Sequence, residues 1–180
     1  MLFQDEVLAA IECILFVAGE PLTLERIAQI VDISCEDAAE LIATLAQQYE
    51  TERRGVQLVE VAGGYQLCTK PHLSIYIERL YKPQFQSLSQ AALETLAIIS
   101  YKQPVTRGEI ELIRGVQSDR AVATLLEKNL IKELGRKDSP GRPVLFGTTD
   151  QFLQHFGLKN LEDLPAAEEV ILDRSDEPEL

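Results

Sequence analysis

Apolar residues recur at three- and four-residue spacing through the first fifty positions of the chain. The first such stretch predicts a helix over residues 3–18, ended by Gly19 and Pro21. Its apolar face consists of Val7, Leu8, Ile11, Ile14, Leu15 and Ala18. After Gly55 the period shortens to two, which predicts two strands joined in a hairpin across Ala62-Gly63-Gly64. The strands are expected over residues 56–61 and 65–69.

Polar residues mark where the other helices of this half begin. Thr23 is placed to cap a short second helix, and Ser34, with Asp37 three residues on, to cap a third. The third helix has an apolar stripe made of Ala38, Leu41, Ile42 and Leu45. Residues 72–82 predict a closing helix. The side chains expected to face the core from that helix are Leu73, Tyr76, Ile77 and Leu80.

The second half repeats this order of elements. Ser87 or Ser89 begins a helix that reaches Tyr101 and is apolar almost all round, so it is expected to be central and buried. Its apolar residues include Leu93, Leu96, Ala97, Ile98 and Ile99. Thr106 and Glu109 form a capping box for the next helix. A third helix is capped by Ser118, with a predicted core face of Val122, Leu125, Leu126 and Leu130. Strands over 131–135 and 144–148 and a helix over 151–156 complete the unit.

The two halves align residue by residue. The aligned positions are Ala9-Ala10-Ile11-Glu12 with Ala91-Ala92-Leu93-Glu94, and Pro21, Thr23 and Ile27 with Pro104, Thr106 and Ile110. Three helices followed by a β-hairpin make a winged helix. The sequence therefore predicts a mostly helical α+β fold of two tandem winged-helix domains, at residues 1–82 and 83–165. The linker is expected near YKPQFQSLS, and residues 166–180 are expected to form an acidic, disordered tail.

Charge is distributed unevenly along the chain. The net charge is −12; residues 1–82 carry 6 Lys/Arg against 13 Asp/Glu (net −7), residues 83–165 carry 10 against 10 (net zero), and residues 166–180 carry 1 against 6 (net −5). Such a chain repels phosphate backbones unless a local patch reverses the field. In the second wing, Arg136, Lys137 and Arg142 are a basic cluster, whereas the third helix of the first domain is acidic. A DNA-binding regulator therefore stays the alternative to a protein-docking function, and only weak or indirect DNA contact is expected.

The arrangement of residues along the sequence does not indicate a catalytic site. The three cysteines lack metal-binding spacing, and the two histidines, His72 and His155, have no partner motif. HExxH, GxSxG and P-loop motifs are not found in the sequence. No apolar run approaches the length of a membrane span, and the N-terminal residues do not have the pattern of a secretory signal. The expectation is a cytoplasmic protein that is not an enzyme and uses no metal or cofactor.

Three stretches carry a resemblance to a known family. They are LAIISYKQPVTRGEIELIRGV, then LLEKNLIKELGRK with PGRPVLFGTT, then FLQHFGLKNLEDLP; the first domain contributes IECILFVAGEPL. Over residues 3–165 the chain resembles the segregation and condensation protein B family, the winged-helix subunit of the bacterial SMC condensin complex. The resemblance implies a homodimer that binds the kleisin subunit, segregation and condensation protein A, and through it the SMC ATPase at the nucleoid. Chromosome condensation and partition during cell division is the implied role.

Two groups of residues are candidates for these contacts. In the second domain, the fold has no evident need for Tyr101, Lys102, Arg107, Arg114 and Arg142, which with Phe146 are the candidates for kleisin binding. Arg114 is equally well explained as a structural salt-bridge partner. In the first helix, Cys13, Phe16 and Val17 lie opposite the core face and predict a dimer interface. The alternative is that the closing helix around Ile77 covers them.

Overall fold

The computed structural model describes residues 2–50, 53–81 and 88–166. The chain divides into two compact units, residues 1–85 and 86–180. Most of the predicted linker lies outside the described residues, as does nearly all of the predicted acidic tail.

The described residues of the first unit form four helices and one hairpin. The elements are α1 (Leu2–Ala18), α2 (Leu24–Val31), α3 (Cys35–Tyr49), β1 (Val56–Val61), β2 (Gly64–Thr69), a 3-10 turn (Pro71–Leu73) and α4 (Ser74–Tyr81). Both predicted caps are confirmed, because the Thr23 hydroxyl accepts from the Arg26 amide and the Ser34 hydroxyl accepts from the Asp37 amide. Each satisfies an amide that the first helical turn leaves without a partner.

The hairpin of the first unit is joined by a third piece of extended backbone. The Leu22 amide donates to the Tyr65 carbonyl at 3.0 Å, and the Tyr65 amide donates to the Leu22 carbonyl at 2.8 Å. This pairing needs a glycine beside it: a Cβ on Gly64 would lie 2.8 Å from the Leu22 carbonyl carbon and oxygen. The hairpin is thereby fixed to the connection between α1 and α2.

The core of the first unit lies between α1, α2 and α3. Its buried residues are Val7, Ile11, Leu15, Ile27, Ile42, Leu45 and Tyr49. The predicted core face of the closing helix is wrong, since Tyr76 and Leu80 on α4 are exposed and Ile77 is more than a third exposed. Apolar residues do recur at helical spacing along α4, but the core cluster of the first unit contains none of them among the described residues.

The second unit has the same order of helices and a three-stranded sheet. The elements are α5 (Gln90–Lys102), β3 (Val105–Thr106), α6 (Arg107–Arg114), α7 (Asp119–Glu127), β4 (Ile131–Arg136), β5 (Val144–Thr148), α8 (Asp150–Phe156) and a 3-10 turn (Leu161–Asp163). The strand order is β3-β5-β4, with both pairs antiparallel. β3 corresponds to the Leu22 bridge of the first unit, and such a two-residue strand is too short to show a period.

Several predicted packing relationships of the second unit are confirmed, including burial of Val122 and Leu125. Others are wrong. α5 is not buried all round, because Leu93 is 41% exposed, whereas the aligned Ile11 is fully buried. Ser118 does begin α7, but its side chain makes no capping hydrogen bond.

The internal repeat is confirmed where the second helix of each unit begins. Thr23 and Thr106 are both N-caps in extended conformation, and Ile27 and Ile110, four residues on, are both fully buried. The short helix thus enters its core at the same point in both units. Three helices, a hairpin and a short third strand make each unit a winged helix, and the fold is mixed α+β.

Candidate functional site

The start of α6 is held by a network of polar contacts. The Thr106 hydroxyl accepts from the Glu109 amide at 3.3 Å, and the Glu109 carboxylate accepts from the Thr106 amide at 2.8 Å, which is the predicted capping box. Lys137 of the wing donates to the same carboxylate at 2.6 Å. The hydrogen bond from Lys137, followed by those from Thr106, lowers the pKa of Glu109 to about 2. The wing and α6 are therefore tied together by a carboxylate that stays charged.

Arg107 lies in the first turn of α6, where the helix dipole disfavours a cation. Its guanidinium contacts the Asp119 carboxylate at the start of α7 and lies 3.9 Å from the Glu111 carboxylate. These two acids offset the unfavourable position. The side chain is still more than half exposed, so Arg107 stays available at the surface.

Arg114, the last residue of α6, is buried. Its side chain is only 7% exposed; Nη2 lies 3.2 Å from the Glu94 carboxylate and Nη1 donates to the Ser118 hydroxyl at 3.0 Å. The structural salt bridge that the sequence left open for Arg114 is therefore present, and it joins α5 to α6. Burial leaves little of this guanidinium for a partner to reach.

Tyr101 and Lys102 form the C-terminal end of α5. The Tyr101 hydroxyl donates to the Pro165 carbonyl at 2.7 Å, while its ring remains partly exposed. Lys102 is exposed. The hydroxyl of Tyr101 thus has a structural role in holding the end of the described chain, and its ring is open to a partner.

The two wing candidates lie in different environments. Phe146 on β5 is buried in the core of the second unit. Arg142 is exposed at the wing turn, with a left-handed backbone (φ 40°), and its carbonyl accepts from Arg136 Nη1 at 3.1 Å. Since Lys137 is paired with Glu109, two members of the basic wing cluster already have contacts within the protein. Of the six predicted kleisin-binding residues, Tyr101, Lys102, Arg107 and Arg142 lie at the surface.

In the first unit, the predicted interface residues lie on an open face of α1. Phe16 is 77% exposed, Val17 is 74% exposed, and Cys13 is also exposed. α4 therefore does not cover them, and the alternative left open by the sequence does not apply. Cys13 and Phe16 border a groove between α1 and the hairpin, lined also by Tyr49, Val56, Leu67 and Cys68. Burial raises the pKa of the Cys68 thiol, which keeps it protonated at neutral pH.

Tyr49 contributes to the same groove and is bonded to α1. Its hydroxyl donates to the Glu12 carboxylate, and the pKa of Tyr49 is raised, first by burial and then by that bond. α1 and α3 are thus joined by a hydrogen bond beside the exposed face.

Sequence reasoning missed an exposed apolar cluster on and after α6. Leu112 is 83% exposed, and Ile113 and Val116 are each more than half exposed. The apolar spacing of this helix predicts that both Ile110 and Ile113 lie in the core, and for Ile113 the prediction is wrong. The available signal for Leu112 was its spacing: two residues after buried Ile110, it lies on the opposite side of α6. Ile113, three residues after Ile110, is close to the buried face, so helical spacing alone did not show that it is exposed.

Within residues 2–50, 53–81 and 88–166, no three His, Cys, Asp or Glu side chains are grouped so that they would hold a metal ion. None of the helices described there is both long and apolar enough to cross a membrane.

The fold defines the class: a tandem winged-helix protein whose candidate sites are exposed faces of its helices. Residues 9–167 match the family model described as segregation and condensation complex subunit ScpB, and the chain belongs to that family. A relative from Desulforamulus reducens, named segregation and condensation protein B, is 51% identical over 173 residues, which are 96% of each chain. The prediction of the family from sequence is confirmed.

Solved structures of the same name also match. ScpB from Mycobacterium tuberculosis is 33% identical, with 86% of this chain and 97% of that chain covered and a TM-score of 0.42. A dimer of the ScpB N-terminal domain complexed with a ScpA peptide is 36% identical over 42% of this chain and 95% of that chain, with a TM-score of 0.41.

Proposed function

We propose that this chain is a non-enzymatic subunit of an SMC–kleisin complex and acts in chromosome condensation and partition. It works in the cytoplasm, as a homodimer that binds the kleisin subunit ScpA and reaches the SMC ATPase through it. The observation that carries the proposal is 51% identity over nearly the whole length of a segregation and condensation protein B. The family model, which describes a subunit of a complex, supports it.

The distribution of exposed apolar residues supports separate roles for the two units, dimerisation for the first and kleisin binding for the second. The open face of α1, with Phe16 and Val17, is proposed as the dimer interface, and the apolar face of α4 adds to the exposed area of that unit. Large apolar side chains in such positions are typical of surfaces that another protein covers.

The second unit is proposed as the main kleisin-binding surface. Tyr101, Lys102 and Arg107 lie where α5 ends and α6 begins. An aromatic ring and an arginine are the side chains most often found at the energetic centre of an interface. The ten positive and ten negative charges of residues 83–165 suit a specific interface better than a general attraction to DNA. DNA is therefore contacted weakly or through the complex.

Co-purification tests the proposal. The full chain and the kleisin encoded in the same genome are co-expressed with an affinity tag on the kleisin, and the eluate is analysed by size exclusion with light scattering. We expect one complex that contains two copies of this chain, and we expect the chain alone to hydrolyse no ATP. Separate elution of the two proteins at micromolar concentration would contradict the proposal. Untagged kleisin controls for binding to the resin.

A further inference from the structure

An apolar groove lies along the exposed face of α5 in the second unit, with a volume of about 420 Å³. Its walls are formed by Leu93, Ala97 and Tyr101 of α5, Phe156 of α8, and Leu158 and Leu164 beyond α8. Leu93, Tyr101 and Phe156 are each more than a third exposed. The apolar pattern of α5 thus includes residues that line this groove and lie outside the core cluster.

The described chain ends at the edge of this groove. Pro165 lines it, and the hydrogen bond from the Tyr101 hydroxyl to the Pro165 carbonyl holds the backbone there against α5. The residues that follow, 167–180, read AEEVILDRSDEPEL. Their one apolar run is Val170-Ile171-Leu172, which begins five residues after Pro165.

The chain between Pro165 and the apolar run is long enough to place that run on the exposed face of α5. An extended backbone spans roughly 3.3–3.6 Å per residue, so the five residue steps from Ala166 to Ile171 reach about 17 Å. The face of α5 from Leu93 to Tyr101 is about 12 Å long at 1.5 Å per residue. A tether this short also gives an effective concentration on the order of millimolar, so even a weak apolar contact is occupied.

The charges around the groove are of both signs. Glu168, Glu169 and Asp173 flank the apolar run of the segment. Exposed Lys102 and Lys159 adjoin the groove residues Tyr101 and Leu158, and exposed Glu162 and Asp163 precede Leu164. The match between segment and groove therefore consists of the apolar run, whose acids are left at the solvent-exposed border.

We propose that the C-terminal segment, residues 167–180, docks Val170, Ile171 and Leu172 into the α5–α8 groove of its own chain. The inference does not depend on kleisin binding. Tyr101 belongs both to this groove and to the proposed kleisin-binding surface. The docked segment therefore competes with any partner that covers the Tyr101 ring, and it lowers the apparent affinity for that partner.

The test uses the full-length purified protein without kleisin, labelled with ¹³C at alanine and leucine methyl groups. Ile171→Asp is compared with Leu180→Asp, which makes the same change of charge in the same segment but outside the apolar run. We expect Ile171→Asp to shift the methyl resonances of Leu93, Ala97, Leu158 and Leu164, and Leu180→Asp to leave them unchanged. The Leu112 methyls on α6 report that the unit remains folded. Cross-relaxation between Leu172 and Ala97 methyls is expected in the wild type and is expected to vanish in Ile171→Asp.

Three outcomes would overturn the proposal. Groove resonances that are the same in Ile171→Asp and wild type mean that the segment does not occupy the groove. Cross-relaxation seen only between labelled and unlabelled chains in a mixed sample assigns the groove to the segment of a second copy. Groove shifts that appear only when a kleisin fragment is added assign it to that partner.

Discussion

The Lys137 ammonium donates to the Glu109 carboxylate at 2.6 Å, which ties the wing of the second unit to the first turn of α6. The same carboxylate also accepts from the Thr106 amide and hydroxyl, so one side chain closes the capping box and the ion pair. Because α6 lies beside the proposed kleisin surface, this carboxylate holds both the helix and the wing in position.

The first prediction concerns pH. The pKa of Glu109 is lowered in the folded protein from 4.5 to about 2. A lowered pKa in the folded state means that the contribution of Glu109 to stability is present above pH 4.5 and is lost as the pH falls toward 2. Glu109→Gln keeps a side chain suited to the capping box but removes the charge. We expect the variant to lose less stability than wild type between pH 5 and pH 2.5, measured by urea unfolding.

Lys137→Met is the matched experiment on the other partner. It removes the first cause of the shift, so the pKa of Glu109, followed by NMR of its carboxyl carbon, should rise toward 4.5. An unchanged pKa would show that the bonds from Thr106 alone hold the carboxylate charged.

The second prediction concerns the buried guanidinium between α5 and α6. Replacing Arg114 with Ala removes its bond to Ser118 and its ion pair with Glu94, and we expect a loss of about 1–3 kcal/mol in the free energy of unfolding. Arg114→Lys keeps the charge but lacks the planar fork that reaches two partners, so most of the loss should remain. Glu94→Ala should cost less than Arg114→Ala, because the Glu94 side chain is about half exposed.

A double-mutant cycle of Arg114 and Glu94 separates the energy of their ion pair from the contribution of the other contacts that Arg114 makes. If Arg114→Ala costs as much in a Glu94→Ala background as in wild type, the ion pair contributes nothing and the loss comes from the other contacts of Arg114.

Local signals were sufficient to predict the helices and several of their caps, although Ser118 makes no capping hydrogen bond. The Thr106–Glu109 box and the Ser34 cap depend on residues three positions apart, which the sequence displays directly. The winged-helix order followed from the switch in apolar period, and the repeat placed Ile27 and Ile110 in equivalent core positions.

Contacts between elements were less accessible to sequence reasoning. α5 is apolar on several faces, so its period does not say which face packs, and exposed Leu93 was therefore assigned to the core. Arg107 pairs with Asp119 and Arg114 with Glu94, and both acids come from neighbouring helices, whose approach no local pattern specifies. Leu22 pairs with Tyr65 through backbone atoms alone, and such a bridge leaves no side-chain signature.

The third prediction concerns the dimer. We expect the full chain to be a dimer in light scattering at micromolar concentration and Phe16→Glu to make it monomeric. A charge at this position opposes burial in an interface, whereas the exposed side chain makes the change tolerable in the folded monomer. Leu112→Glu is the matched control, since Leu112 is similarly exposed but lies in the second unit. A Phe16→Glu protein that remains dimeric with unchanged affinity would place the interface elsewhere, and the α4 face around Tyr76 and Leu80 would be the next candidate.

The last prediction concerns kleisin binding by the second unit. Tyr101→Ala and Arg107→Ala are combined and the affinity for the kleisin is measured by calorimetry. Truncation at the centre of an interface typically costs about 2 kcal/mol or more per residue, so the pair should lose well over tenfold in affinity. The fold should survive, because the ion pairs of Arg107 are exposed and contribute little to stability. The matched comparison is Arg120→Ala with Lys128→Ala in and just after α7, where we expect affinity within twofold of wild type. If the α7 pair weakens binding and the Tyr101–Arg107 pair does not, the kleisin binds at the third helix of the unit instead.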